Sequence, residues 1–150
     1  EQRWGNGGAK VVDALIMADG SANPASVVSG RDIELHVKVA FEDDFESPLI
    51  GFTLTNTQGA TIYGTHSGWL RAPAAAARKG DVRTYLFRLK LPLAVGACFF
   101  ELAVARDQDV VSDVRSRVLH VDIVRDNMLI GLVDLKAHFD ETGNVAEVQH

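Results

Sequence analysis

Between Tyr63 and Arg71 the chain reads Tyr63-Gly64-Thr65-His66-Ser67-Gly68-Trp69-Leu70-Arg71, which gathers two aromatic rings, an imidazole, hydroxyls and a guanidinium into one short segment. Those residue types suit non-covalent recognition of a polyol. An aromatic face packs on the apolar C–H side of a pyranose ring, and the surrounding polar groups replace the water held by its hydroxyls. Trp69, in a glycine-flanked loop, is the leading candidate. It serves either as that platform or as a plug at one end of the domain, where its N–H would need a partner.

Covalent and metal chemistry find little support. His36, His66, His120, His138 and His150 are scattered, with no His-Glu-x-x-His or paired Cys/His spacing, so no metal site is expected. No Gly-x-Ser-x-Gly elbow presents a nucleophile, and Gly5-Asn6-Gly7-Gly8 lacks the preceding strand and the lysine of a phosphate loop. Glu42-Asp43-Asp44 with Glu46 reads as a solvated strand connection rather than a calcium site or a catalytic pair. A glycosidase needs two carboxyls held about 5–10 Å apart across a cleft, and nothing in the sequence places such a pair. No enzymatic activity and no cofactor are expected.

Composition narrows the partners. A formal net charge of -5, with Arg and Lys spread along the chain, gives no footprint for nucleic acid. The lone Cys98 cannot form an internal disulfide, which favours a reducing compartment. The longest apolar stretches, Leu91 to Ala105 and Met128 to Leu135, are interrupted and fall short of the roughly 20 residues of a membrane helix. No signal peptide is recognised.

The elements that must position the candidates are strands. Ile33, Leu35, Val37, Val39 and Phe41 alternate with Asp32, Glu34, His36 and Lys38, which is the period of a half-buried strand over Arg31 to Phe41. Further strands are expected at Lys10 to Met17, Leu49 to Thr55, Ala60 to Thr65, Val82 to Leu91, Ala97 to Arg106 and Arg115 to Val124, with a hairpin turn at Asn56-Thr57-Gln58-Gly59. This spacing predicts an all-β fold, an antiparallel β-sandwich of immunoglobulin-like or jelly-roll type. Ala72 to Lys79, with four consecutive alanines, is expected to form one or two helical turns within the long His66 to Asp81 connection. Met128 to Leu135 reads as an eighth strand, packed on its own domain or exchanged with a second subunit.

Alternation also picks out a second group of candidates. If Cys98, Phe100, Leu102 and Val104 face the core, the opposite side of that strand carries Ala97, Phe99, Glu101, Ala103 and Ala105. That side is too apolar for open solvent, so a ligand, a loop or a partner chain is expected to cover it. Phe99 could stack on a sugar, and Glu101 could accept hydrogen bonds from its hydroxyls. Thr53 and Thr55 point the same way on one neighbouring strand, and His120 and Asp122 on another. Arg71, Arg88 and Arg117 are the cationic candidates for an anionic ligand group.

Several segments together resemble the C-terminal carbohydrate-binding domain of Wzt, the ATP-binding subunit of bacterial ABC transporters that export O-antigen polysaccharide. They are Arg3 to Gly20, Ile50-Gly51-Phe52-Thr53 leading through Gly59 into Ile62-Tyr63-Gly64-Thr65, the Pro92 to Gly96 turn, and Val118 to Val124. The chain departs from the family pattern at His66-Ser67, where Asn-Thr is common, and at Cys98, where a Tyr is. The resemblance implies a cytoplasmic domain, peripheral to the inner membrane through its transporter. It implies a homodimer that exchanges C-terminal strands and works with the transmembrane subunit through the full-length protein. The domain would read a chemical cap at the non-reducing end of the finished O-antigen polysaccharide and so license export. Residues 1–9 would be linker from an ATPase domain, residues 10–138 the carbohydrate-binding sandwich, and residues 139–150 a tail. The expected binding residues are Thr53, Tyr63, His66, Trp69, Arg71, Phe99, Glu101 and His120. The alternative is a protein-interaction or dimerisation sandwich without glycan binding.

Overall fold

Ten strands build two facing sheets in the computed structural model, which describes residues 2–94 and 96–143. They are β1 (Arg3–Trp4), β2 (Ala9–Ala18), β3 (Ser21–Ala22), β4 (Ser26–Val28), β5 (Asp32–Phe41), β6 (Leu49–Thr55), β7 (Thr61–His66), β8 (Val82–Lys90), β9 (Gly96–Ala105) and β10 (Val111–Val124). The first sheet has the order β1-β10-β9-β6-β7, and β4 joins β10 at its other end. The second has the order β3-β2-β5-β8. All pairings are antiparallel except β4 with β10, so the chain is the all-β sandwich that the alternation predicts.

The core lies between the sheets and is filled by the alternate positions of each strand. Leu35, Val37 and Val39 of β5 face Phe100, Leu102 and Val104 of β9, and all six are fully buried. Each such side chain contributes roughly 1.5–3 kcal/mol of transfer free energy, which is why one slipped register would be prohibitive. Cys98, the only cysteine, is also buried on the inward side of β9, and that burial pushes its thiol pKa up. The expected hairpin closes between β6 and β7. Asn56 Oδ1 accepts from the backbone N–H groups of Gln58 and Ala60 at 3.0 and 2.9 Å, and Gly59 supplies the positive φ of 80°.

One end of the sandwich is tied by a buried carboxylate. Asp113 of β10 accepts the N–H of Val11 of β2 at 2.8 Å, linking the two sheets, and pairs with Arg3 at 3.1 Å. Both strands are irregular here: the β2–β5 register shifts between Val11 and Asp13, and the β10–β9 register between Val111 and Asp113. A shifted ladder leaves a backbone donor without its strand partner, and Asp113 provides one. The N-terminal segment runs along β10 as well. Arg3 pairs with Arg115, and the N–H groups of Asn6 and Gly7 donate to Val111 and Ser112.

Three segments differ from expectation. The alanine run forms no helical turn: Ala77 is buried and bridges Phe45 through reciprocal backbone bonds of 2.8 and 2.9 Å. Pro73 leads the run, and this tertiary bridge outweighs the helix preference of four alanines. Met128 to Leu135 is not a strand within this chain. Only Val133 makes a bridge, to Leu93, while Met128, Ile130, Leu132 and Leu135 stand exposed. Its apolar run reads as a strand, but within this chain, among the described residues, it is tied only near Val133, where Asp134 donates to the Pro92 carbonyl and the Leu132 carbonyl accepts from Ala94. β10 also begins earlier than predicted, at Val111, because its irregularities mask the alternation. Residues 144–150, most of the expected tail, lie outside the described residues.

Candidate functional site

The outward side of β7, β6 and β9 holds a shallow groove of about 700 Å³. Cross-strand pairing sets its floor. His66, Gly51 and Ala103 form one rung and Gly64, Thr53 and Glu101 the next, while Thr55, Phe99 and His120 make an adjoining rung, outside the groove's lining, that extends onto β10. Ala105 continues the line on β9. Small residues there let a ring approach the sheet closely. A Cβ at Gly51 would stand 2.9 Å from the Thr65 carbonyl oxygen, so the first rung has no room for a larger residue.

Trp69 forms one wall. The turn that carries it is stapled to β6 by Ser67, whose N–H donates to the Ile50 carbonyl at 2.9 Å and whose Oγ accepts from the Ile50 N–H at 3.2 Å. His66 Nδ1 then accepts the backbone N–H groups of Gly68 and Trp69 at 3.1 and 3.3 Å, which leaves Nε2 as the ring's N–H donor. The imidazole and indole rings lie 4.3 Å apart at 31°. A Cβ at Gly68 would come 3.0 Å from His66 Cε1, so this glycine permits the ring to sit against the turn. The indole remains 66% exposed. An indole this open does not plug the end of the sandwich.

Glu101 lies at the centre of the groove floor. It is partly buried, and among the described residues no cation or hydrogen-bond donor pairs with its carboxyl. Burial alone pushes its pKa up. A carboxyl without a protein partner on a small-residue floor is set to accept hydrogen bonds from a ligand. Asp107 and Gln108, from the β9–β10 turn, close the far end. Phe99 is engaged differently from the expected open platform: the Arg117 guanidinium lies 3.8 Å over its ring and His120 stacks on it at 5.0 Å. His120 is held in turn by Asp122 at 2.9 Å.

The structure thus brings Thr53, His66, Trp69 and Glu101 together, with Phe99 and His120 on the adjoining rung. Tyr63 points to the opposite side of β7. It pairs with the core residue Leu54, packs 5.8 Å from Phe52, and lines a separate apolar cleft of about 470 Å³ between the open edges β7 and β8. Arg71 is exposed in the turn, at φ 57°, and does not line the groove. Groove residues that were not among the expected binding residues include Gly51, Gly64, Asp107 and Gln108. The glycines gain meaning only from their cross-strand neighbours, and the other two read as ordinary turn residues.

The architecture and this groove define a β-sandwich binding domain with an open, aromatic-walled surface site. The chain belongs to the family of Wzt C-terminal domains, whose model matches residues 1–135. It is similar to the crystal structure of the C-terminal domain of wzt, at 27% identity and a TM-score of 0.87 over 93% of this chain and 87% of that one. Two more distant structures share the fold. A Niemann-Pick type C2 protein from Japanese carpenter ant has a TM-score of 0.56 at 13% identity, covering 81% of this chain and 97% of that one. A β-glucuronidase from glycoside hydrolase family 2 has a TM-score of 0.51 at 9% identity, covering 72% of this chain and 12% of that one. No curated protein matches the chain. Family membership supports a non-catalytic, carbohydrate-binding role. Among the described residues no helix is long and apolar enough to cross a membrane.

Proposed function

We propose that this domain recognises the modified non-reducing terminus of an O-antigen polysaccharide and licenses its export by an ABC transporter. The observation that carries the reading is the exposed Trp69 indole beside the unpartnered Glu101 carboxyl on a floor of glycine and alanine. One sugar ring can stack on the indole while its hydroxyls reach Glu101, Thr53 and His66 Nε2. The domain acts on the cytoplasmic side, peripheral to the inner membrane, and meets the transmembrane subunit through the full-length protein. It catalyses nothing itself. A shallow site over one or two sugars gains little beyond the cost of ordering them, so the dissociation constant is expected at about 10 µM to 1 mM. Saturation-transfer NMR with matched O-polysaccharides, with and without the terminal modification, tests this. Signal confined to the modified end is the expected result, and signal spread along the repeating units would sink end recognition.

A second reading, an interaction or dimerisation sandwich, draws on the segment after β10. Ile130 is 99% exposed, and Met128, Leu132, Leu135 and Phe139 are nearly as open, an apolar display that favours cover by another chain. Exchange of this segment between subunits accommodates both readings, which part only over glycan binding. Truncation after Asn127 is expected to convert a dimer to a monomer in sedimentation while glycan contacts of the groove persist. A truncated domain that stays dimeric rules out this segment as the joint.

A further inference from the structure

We propose that the groove selects an uncharged glycan end, one that presents hydroxyl donors to Glu101, and rejects ends bearing phosphate or carboxylate. This rests on the carbohydrate reading above and specifies its ligand class. Among the described residues the groove is lined by two carboxyls, Glu101 and Asp107, and by no lysine or arginine. Arg117, Arg106 and Arg71 all lie outside its lining. Arg117 lies over Phe99. Arg106 lies 4.0 Å over the Phe45 ring and donates to the Asp44 carbonyl at 2.7 Å.

Recognition of an anion normally calls for a guanidinium, a lysine or a cluster of backbone N–H groups aimed at it. Here an anionic end would instead meet Glu101, whose charge is already disfavoured by burial and has no cation to offset it. Like charges in a partly desolvated site repel strongly. A neutral sugar meets the opposite situation. Its hydroxyls donate to the free carboxyl and to the turn-locked Asp107, while its apolar face lies on Ala103 and against Trp69. Asp107 Oδ1 is occupied by the N–H groups of Asp109 and Val110 at 2.8 and 3.0 Å, so Glu101 carries the discrimination.

The test uses an array of bacterial oligosaccharides in matched triplets: the neutral oligosaccharide, the same with a terminal phosphate, and the same with a terminal uronic acid. At pH 7 the parent domain is expected to bind neutral members at least tenfold more tightly than their charged counterparts. Glu101→Gln, checked for an unchanged melting profile, is expected to narrow that ratio to about threefold or less by gaining affinity for the charged members. A charged member as the best ligand of the parent domain would overturn the inference and leave the carbohydrate reading standing. So would an undiminished ratio in Glu101→Gln. Binding of no member at all would overturn the carbohydrate reading, and the inference with it.

Discussion

Trp69→Ala is expected to weaken glycan binding at least tenfold, about 1.4 kcal/mol or more, while shifting the melting temperature by no more than about 2 °C. Both halves of that expectation follow from the turn. Its shape is fixed by Ser67 on Ile50 and by His66 Nδ1 on two backbone N–H groups, and none of those bonds involves the indole. The indole itself is mostly solvent-exposed, so its removal exposes little core. What it takes away is, among the described residues, the only large aromatic face that stands open at the groove. Trp69→Phe should restore part of the affinity, since a smaller ring still stacks. Tyr63→Ala provides the contrast, because that ring belongs to the cleft on the other side of β7 and should leave affinity within about twofold. Calorimetry on the three variants decides the matter. Equal losses for Trp69→Ala and Tyr63→Ala would mean that the ligand sits elsewhere.

Asp113→Ala should cost about 3 kcal/mol of stability and lower the melting temperature by roughly 6–12 °C. The carboxylate is almost wholly buried, and it answers the Val11 N–H across the gap between sheets. Truncation orphans that donor at a place where the β2–β5 ladder, shifted between Val11 and Asp13, offers no substitute. It also strips Arg3 of its ion-pair partner, but that side chain keeps its bond to the Val11 carbonyl, is 45% exposed, and water compensates much of the loss. Asp113→Asn separates the two contributions. Its amide oxygen can still accept from Val11, so it should recover more than half of the stability. Urea unfolding measures both, and a loss below about 1 kcal/mol for Asp113→Ala would show that the sheets are held together there by packing alone.

How much of this was legible in the sequence depends on the kind of signal. Phe99 and Glu101 were placed on the outward side of their strand by strict alternation with Cys98, Phe100 and Leu102, and the structure has the same alternation. Thr53 fell beside Glu101 because consecutive sandwich strands rank in few orders. Tyr63 was misread because the segment from Tyr63 to Arg71 was taken as one patch, although alternation along β7 puts Tyr63 on the side opposite Gly64 and His66. Arg117 carries a positive φ of 52° in the irregular stretch of β10, and only the folded chain reveals that it covers Phe99. The alanine run misled for a related reason. Its propensity is local, while the Phe45–Ala77 bridge that overrides it joins residues 32 positions apart.

The burial of Cys98 gives the domain an internal clock. A thiol reagent reacts with the thiolate, and here it must wait for β9 to part from the opposite sheet. The labelling rate therefore reports how often the strand bearing Glu101 opens, without any label being introduced. A ligand that holds the closed form slows that clock in proportion to its occupancy, so a weakly bound sugar with no colour of its own becomes countable through one sulfur atom.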